Sequence, residues 1–346
     1  MVEFAGFELP VQYTSILAEH RHTRTACSLF DTCHMGMIEI PAKHAELLAA
    51  AITVDATALK VGRGKYGFIL NVSGGVIDDV ILMKPSDDTF LLVVNAATAA
   101  NDVAVIQDRL GDPTAARYRD DWGKLDVQGP QSWSILDAFV DFDLSELGYF
   151  GCRFGQVCGV DAVISRTGYT GELGYEIFCD AAALPPIMDS LLEEPTVQAA
   201  GLGSRDSLRL EMGYALYGHE LNEQTTPLEA SLGFAIDLDG EFVGVEVLRQ
   251  QKSDGLSRKL VALKTEGRRP FHDGCKIMSG GEAVGVVTSG AFSPSLNCAI
   301  GMGFVQPKLA EVGTELTLCT ERAEIAATVA PLPQYKNGTC RKSITS

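Results

Sequence analysis

The chain has 346 residues, 46% of them hydrophobic, and 45 aspartates and glutamates against 28 lysines and arginines give a formal charge of −17. Such a chain can bury a sizeable core in two or three packed domains, while its acidic balance excludes a general nucleic-acid surface, which needs clustered lysine and arginine. No apolar run approaches the roughly 20 residues of a membrane span, the start MVEFAGFELPVQYTSILAEH has neither a basic head nor a signal-like stretch, and nine cysteines without a CxxC read as reduced thiols in a cytoplasm.

Six histidines include one close pair, His20 and His22, with no third ligand at zinc-site spacing, so no metal site is expected. In chain order, strands are expected at 36–40, 66–71, 76–83 and 89–95, and helices at 41–51 and 96–110. A further strand at 161–165 precedes RTGYTGELGYEIF (166–178), whose end forms a strand over 174–179. Helical spacing returns at 181–199 and 205–213. From 258 to 332, short β runs are split by Gly, Ser, Asn and Pro, the pattern of a small barrel, and QQKSDGLSR (250–258) reads as the linker before it. The expected domains are 1–249, two interleaved α+β subdomains, and 258–340.

Two motifs fail on context. GRGKYG (62–67) has glycine-fingerprint spacing but leads straight into the strand-like YGFILN, where a dinucleotide loop would open a helix. Residues 235–246 place Asp237, Asp239, Gly240 and Glu246 at calcium-loop positions, yet Ala235 stands where the first ligand belongs. There is also no Gly-x-Ser-x-Gly elbow and no local motif of a catalytic thiol.

Three stretches keep chemical interest. In GYEIF, strand alternation places Gly174, Glu176 and Phe178 on one face. With no cation nearby in sequence, Glu176 is either solvated on a half-exposed strand or aimed at a hydrogen-bond-donating ligand, and the segment alone favours solvation. In NVSGGVIDDVILM (71–83), Asp78 and Asp79 face opposite sides of a strand, so one points inward and must be paired, functional or a turn cap. In GLGSRDSLRLEMGYALYGHEL (201–221), Arg205 and Arg209 lie one helical turn apart, suited to clamping a carboxylate or to internal ion pairs with Asp206 or Glu211.

Together, FDTCHM (30–35), NVSGGVIDDV (71–80), VVNAAT (93–98), VQGP (127–130), RTGYTGELGYEI (166–177), GLGSRDSLRLEMGYALYGHEL (201–221), TPLEASLGFAI (226–236) and TSGAFSPSLNCAIGMGFV (288–305) resemble the aminomethyltransferase (T-protein) family of the glycine cleavage system over nearly the entire chain. The resemblance implies an α+β, three-domain cloverleaf around a central folate channel, closed by a C-terminal β barrel. It implies transfer of a methylene group from the aminomethyl-lipoyl arm of a carrier, the H-protein, to tetrahydrofolate, with release of ammonia. Lipoate belongs to that partner.

Position by position, Glu176 matches the pterin-binding glutamate, and Tyr169, Tyr66, Met35 and Asn95 match positions lining the folate pocket. Arg205, Tyr214 and Tyr335 match folate contacts, and Asp78 matches the carboxylate acting at the folate nitrogens, as base or as electrostatic anchor. Glu172 is left as structural. The family usually carries a longer segment ahead of MVEFAGF, which bears on docking of the carrier. A folate-dependent demethylase is disfavoured by the IDD, YTGE and YGHEL segments. A folate-binding protein of iron–sulfur assembly is disfavoured because EFVGVEVL (241–248) lacks that group's cysteine.

Overall fold

A computed structural model describes residues 1–344. The chain divides into two compact units: residues 1–69, 78–205 and 337–344 in the first, and residues 70–77 and 206–336 in the second.

The first unit holds a six-stranded sheet and all but Leu70, Val76 and Ile77 of a five-stranded one. One has six strands in the order Cys152–Val157, Val160–Ser165, Gly174–Asp180, Trp122–Gln128, Cys27–Asp31, Val197–Ala199. The other is built from five, Arg63–Leu70, Val76–Lys84, Thr89–Val94, Gly36–Pro41 and Arg117–Tyr118. The six-stranded sheet is covered on both faces. On one, Leu29, Leu125, Val127, Tyr175 and Ile177 pack with Leu184, Ile187 and Leu191 of the helix Leu184–Leu192. On the other, Val163 and Phe178 meet Met37, Met83, Leu91 and Val93 of the second sheet. Burial on both sides explains why Gly174–Asp180 is buried along nearly its whole length.

The second unit contains a closed six-stranded barrel, Lys259–Lys264, Cys298–Val305, Glu282–Ser293, Lys276–Ser279, Glu315–Cys319 and Glu324–Ala330. Its interior is filled by Val261, Leu263, Phe271, Ile277, Leu316, Leu318 and Val329. The α+β class and the C-terminal barrel are as expected from the sequence.

Three expectations are corrected. The helix expected over 181–199 is a short 3-10 turn followed by Leu184–Leu192. Pro195 disfavours helical backbone at the residue before it, and Val197–Ala199 instead pairs in parallel with Cys27–Leu29. The expected linker 250–258 is largely helical, because Val245–Asp254 runs on until Gly255, at φ 90°. The helix expected at 205–213 begins earlier, as Leu202–Met212. GRGKYG does lead into a strand, Arg63–Leu70. No helix among the described residues is long and apolar enough to cross a membrane.

Candidate functional site

The strand Trp122–Gln128 positions the first half of the site. Leu125 and Val127 enter the helix-side core, so alternation turns Lys124, Asp126 and Gln128 to the opposite face, where all three are buried. Register then sets Asp126 beside both Phe30 and Glu176, Glu176 beside Ser165, and Lys124 beside Phe178. Phe30, Asp126, Glu176 and Ser165 thus form one row across four strands.

Charge is balanced within this row. The Lys124 ammonium, 1% exposed as a residue, lies 2.5 Å from Asp126 Oδ1 and 2.7 Å from Glu176 Oε1, and Arg205 reaches Asp126 Oδ2 at 2.7 Å. The Thr32 hydroxyl donates to Asp126 (2.9 Å) and the Thr167 hydroxyl to Glu176 Oε2 (2.6 Å). Burial pushes the Asp126 carboxyl up, but Lys124 and Arg205 outweigh it and hold the group below its ordinary value. A buried carboxylate needs such partners, since an unpaired one costs several kcal/mol. Glu176 is therefore no solvated strand residue: it is 4% exposed and ion-paired. Its one polar partner on each oxygen leaves lone pairs able to accept further donors.

The glycines of RTGYTGELGYEIF make room for this arrangement. A Cβ on Gly174 would sit 2.4 Å from the Gln128 side chain and one on Gly168 2.1 Å from it. Gln128 uses that space to accept from Thr170 Oγ1 (2.9 Å) and donate to the Thr167 carbonyl (3.1 Å), which fixes the loop entering the Glu176 strand.

Arg205 also stacks over Tyr169, 5.1 Å from the ring centroid, so its guanidinium is held between a carboxylate and an aromatic face. Nearby, His34 is 5% exposed and its Nδ1 has no hydrogen-bond partner. Its ring meets Phe4 and Phe7 of the N-terminal hairpin at 5.4 and 6.4 Å. Burial, then the positive charges of Arg205 and Lys124, push the imidazole down to about 4, so it is neutral at neutral pH. Cys33 offers no thiolate there, because burial, then Asp31, push it up to about 12.

The second half of the site lies on the five-stranded sheet. Tyr66 donates to Asp79 Oδ2 at 3.0 Å, and the Asn95 amide donates to both Asp78 Oδ1 and Asp79 Oδ1 at 2.8 Å. Met35 packs with Met37, Met83 and Phe178 in the cluster joining the sheets.

Asp78 is the inward-facing member of its pair. It is 0% exposed, with Val80 and Leu82 on the same inward face, and both its oxygens are engaged by Asn95: Oδ2 by the backbone N–H and Oδ1 by the amide, each at 2.8 Å. Asp79 is the half-buried member of the pair and the one beside the Tyr66 hydroxyl. Burial, then Asp78, push its carboxyl up to about 7.

Glu176, Arg205, Tyr169, Tyr66, Met35 and Asn95 all belong to the first unit. Tyr214 and Tyr335 belong to the second, where their backbone N–H groups donate to the carbonyls of Arg209 and Glu211, each at 3.0 Å. Arg209 forms the internal ion pair that was the plainer of its two readings, with Asp206 at 2.8 Å, and a second with Glu220 at 3.0 Å. Glu172 is structural: it pairs with Arg24 at 2.8 Å and accepts from Thr339. Lys124, Asp126, His34 and Asp79 are the residues sequence reasoning did not select. For Lys124 and Asp126 the signal was present, as charges at alternate positions of an otherwise apolar strand.

A family model described as "GCVT N-terminal domain" matches residues 1–240, and one described as "Glycine cleavage T-protein C-terminal barrel domain" matches residues 258–336. An aminomethyltransferase of Rubrobacter xylanophilus is 42% identical over 97% of this chain and 90% of its own length. One of Halothermothrix orenii is 39% identical, over 96% and 95%. The crystal structure of the glycine cleavage system aminomethyltransferase T from Bartonella henselae superposes with a TM-score of 0.91 at 34% identity, covering 96% of this chain and 93% of that one.

Proposed function

The chain belongs to the glycine cleavage T-protein family, and from that premise we propose that its paired charge row is a folate site serving aminomethyl transfer. The reaction takes a methylene unit from an aminomethyl group on the lipoyl arm of a carrier protein and gives it to tetrahydrofolate, releasing ammonia and the reduced arm. The reading places this enzyme in the cytoplasm.

The observation that carries the reading is the fixed Glu176 carboxylate, held by Lys124 and Thr167 beside the Arg205–Tyr169 stack. A planar heterocycle with adjacent N–H donors fits an acceptor of this kind next to an aromatic wall, and the unpartnered His34 nitrogen adds a polar atom in the same neighbourhood. Glu176 accepts from the pterin ring amide and the exocyclic amine, while Tyr169, Tyr66, Met35 and Asn95 line the pocket. For Tyr214 and Tyr335 a folate contact rests on the family resemblance alone.

When bound, tetrahydrofolate supplies the amine nitrogens that receive the methylene unit. The protein's part is to orient that acceptor and to place negative charge where cationic character develops as ammonia leaves. We assign that charge to Asp79, which keeps accessible surface and is oriented by Tyr66 and Asn95, and not to the fully buried Asp78. Its upward shift to about 7 also suits Asp79 to exchange a proton near neutral pH.

Calorimetric titration tests the clamp. Glu176→Ala is expected to weaken tetrahydrofolate binding at least about tenfold, the scale of a lost charged hydrogen bond; unchanged affinity would remove Glu176 from the site.

A further inference from the structure

Between the strands Val160–Ser165 and Gly174–Asp180 the chain forms the loop 166–173, which carries Tyr169 and has glycines at 168 and 171, the second at φ 80°. A glycine-bearing loop has little stiffness of its own, so the place of Tyr169 depends on bonds from outside it. Ahead of Tyr169, Thr167 is held by Glu176 and Gln128. Behind it the partner is a segment distant in sequence, residues 339–342, which belongs to the same compact unit. The Thr339 hydroxyl donates to Glu172 Oε2 at 2.5 Å and accepts from the Leu173 N–H at 2.8 Å, and the Thr339 N–H donates to the same Oε2 at 3.2 Å. The Cys340 N–H donates to the Gly171 carbonyl at 3.1 Å, and Arg166, at the entry of the loop, donates to the carbonyls of Cys340 and Lys342. Arg24, on the helix Ile16–Thr25, donates to the Thr170 carbonyl at 2.7 Å and pairs with Glu172 Oε1 at 2.8 Å.

Glu172 and Thr339 are both buried, so a donor lost from this bridge is not replaced by bulk water. We infer that Thr339 is a positioning residue for the folate site: by joining Glu172 to the Leu173 N–H it fixes the exit of the loop, and with it the Tyr169 ring against the Arg205 guanidinium. Its hydroxyl is engaged by Glu172 and Leu173, so it acts on a bound ligand through the loop. The effect belongs to binding, because the loop supplies an aromatic wall, whereas Asp79 stands on the other sheet. The consequence for folate rests on the function proposed above, whereas the hold on the loop does not.

Two measurements on the full chain test it, with Thr339→Val keeping the shape but not the bridge and Thr339→Ser keeping the hydroxyl. In hydrogen exchange of the unliganded protein, peptides covering 169–173 should exchange at least about tenfold faster in Thr339→Val, with 174–180 and the barrel strands unchanged and Thr339→Ser matching the parent. Equal exchange in the parent and Thr339→Val would overturn the inference, and so would a loss of protection spread over the whole chain. Titration with tetrahydrofolate should give Thr339→Val a Kd raised about fivefold or more, with kcat at saturating tetrahydrofolate within about twofold and Thr339→Ser restoring the parent's Kd. A faster-exchanging loop with an unchanged Kd would make Thr339 a packing residue only. A parent protein that bound no tetrahydrofolate would instead bring down the proposed function, while the exchange result still decided whether Thr339 holds the loop.

Discussion

The Lys124 ammonium sits 2.7 Å from the Glu176 carboxylate across neighbouring strands, both residues almost fully buried. The pair exists because the register sets Lys124 opposite Phe178 and Asp126 opposite Glu176, so a lysine on one strand reaches diagonally to a glutamate on the next. It also converts an acid with no cation nearby in sequence into a fixed, charged acceptor.

Lys124→Met should therefore leave Glu176 and Asp126 short of a partner, with Arg205 and the Thr32 hydroxyl still serving Asp126. Breaking a buried pair in this way costs about 3–5 kcal/mol. Chemical denaturation should show a loss on that scale together with weakened folate binding; a loss below about 1 kcal/mol would contradict the charge balance described above.

Asp79→Asn should cut kcat by about a hundredfold or more, the scale of a lost acid–base or electrostatic group, with tetrahydrofolate affinity changed only a few-fold. Steady-state kinetics and a binding titration read the two separately. Near-normal turnover would return the role to another group.

Much of this was legible in the sequence, and what was not had definite causes. The motif order gave the family, and the short β runs after 258 gave the barrel. Alternation predicted that Asp78 and Asp79 face opposite ways, but which of them is fully buried depends on packing the strand cannot encode alone. Lys124 and Asp126 could have been found from WGKLDVQ, where charges alternate with Leu125 and Val127. Their partner Glu176 lies about fifty residues away, and only register brings the three together.

The pH dependence of stability should carry a mark of His34. Its folded value, about 4, lies below the ordinary 6.5, so protonation favours the unfolded chain. Its contribution is present above about 6.5 and is lost as pH falls towards about 4. Thermal unfolding of His34→Gln across that window should fall less steeply than that of the parent; parallel curves would mean that the imidazole takes up its proton in the folded state.

Gly174→Ala should destabilise by about 1–3 kcal/mol, the usual cost of overpacking, because its Cβ would press on a Gln128 side chain held by Thr167 and Thr170. Gly159, where a Cβ would meet nothing within 4 Å, provides the contrast on packing, although its φ of 77° adds backbone strain of its own. Equilibrium unfolding of Gly174→Ala with a midpoint equal to the parent's would show that Gln128 can move aside.

The most direct test of the whole account is the formation of methylenetetrahydrofolate and ammonia from aminomethylated carrier protein, with tetrahydrofolate omitted as the control. The parent enzyme should form both products only when tetrahydrofolate is present, and Asp79→Asn should lose most of that rate while still binding tetrahydrofolate. A parent protein that binds tetrahydrofolate but forms no methylenetetrahydrofolate from the aminomethylated carrier would contradict the account.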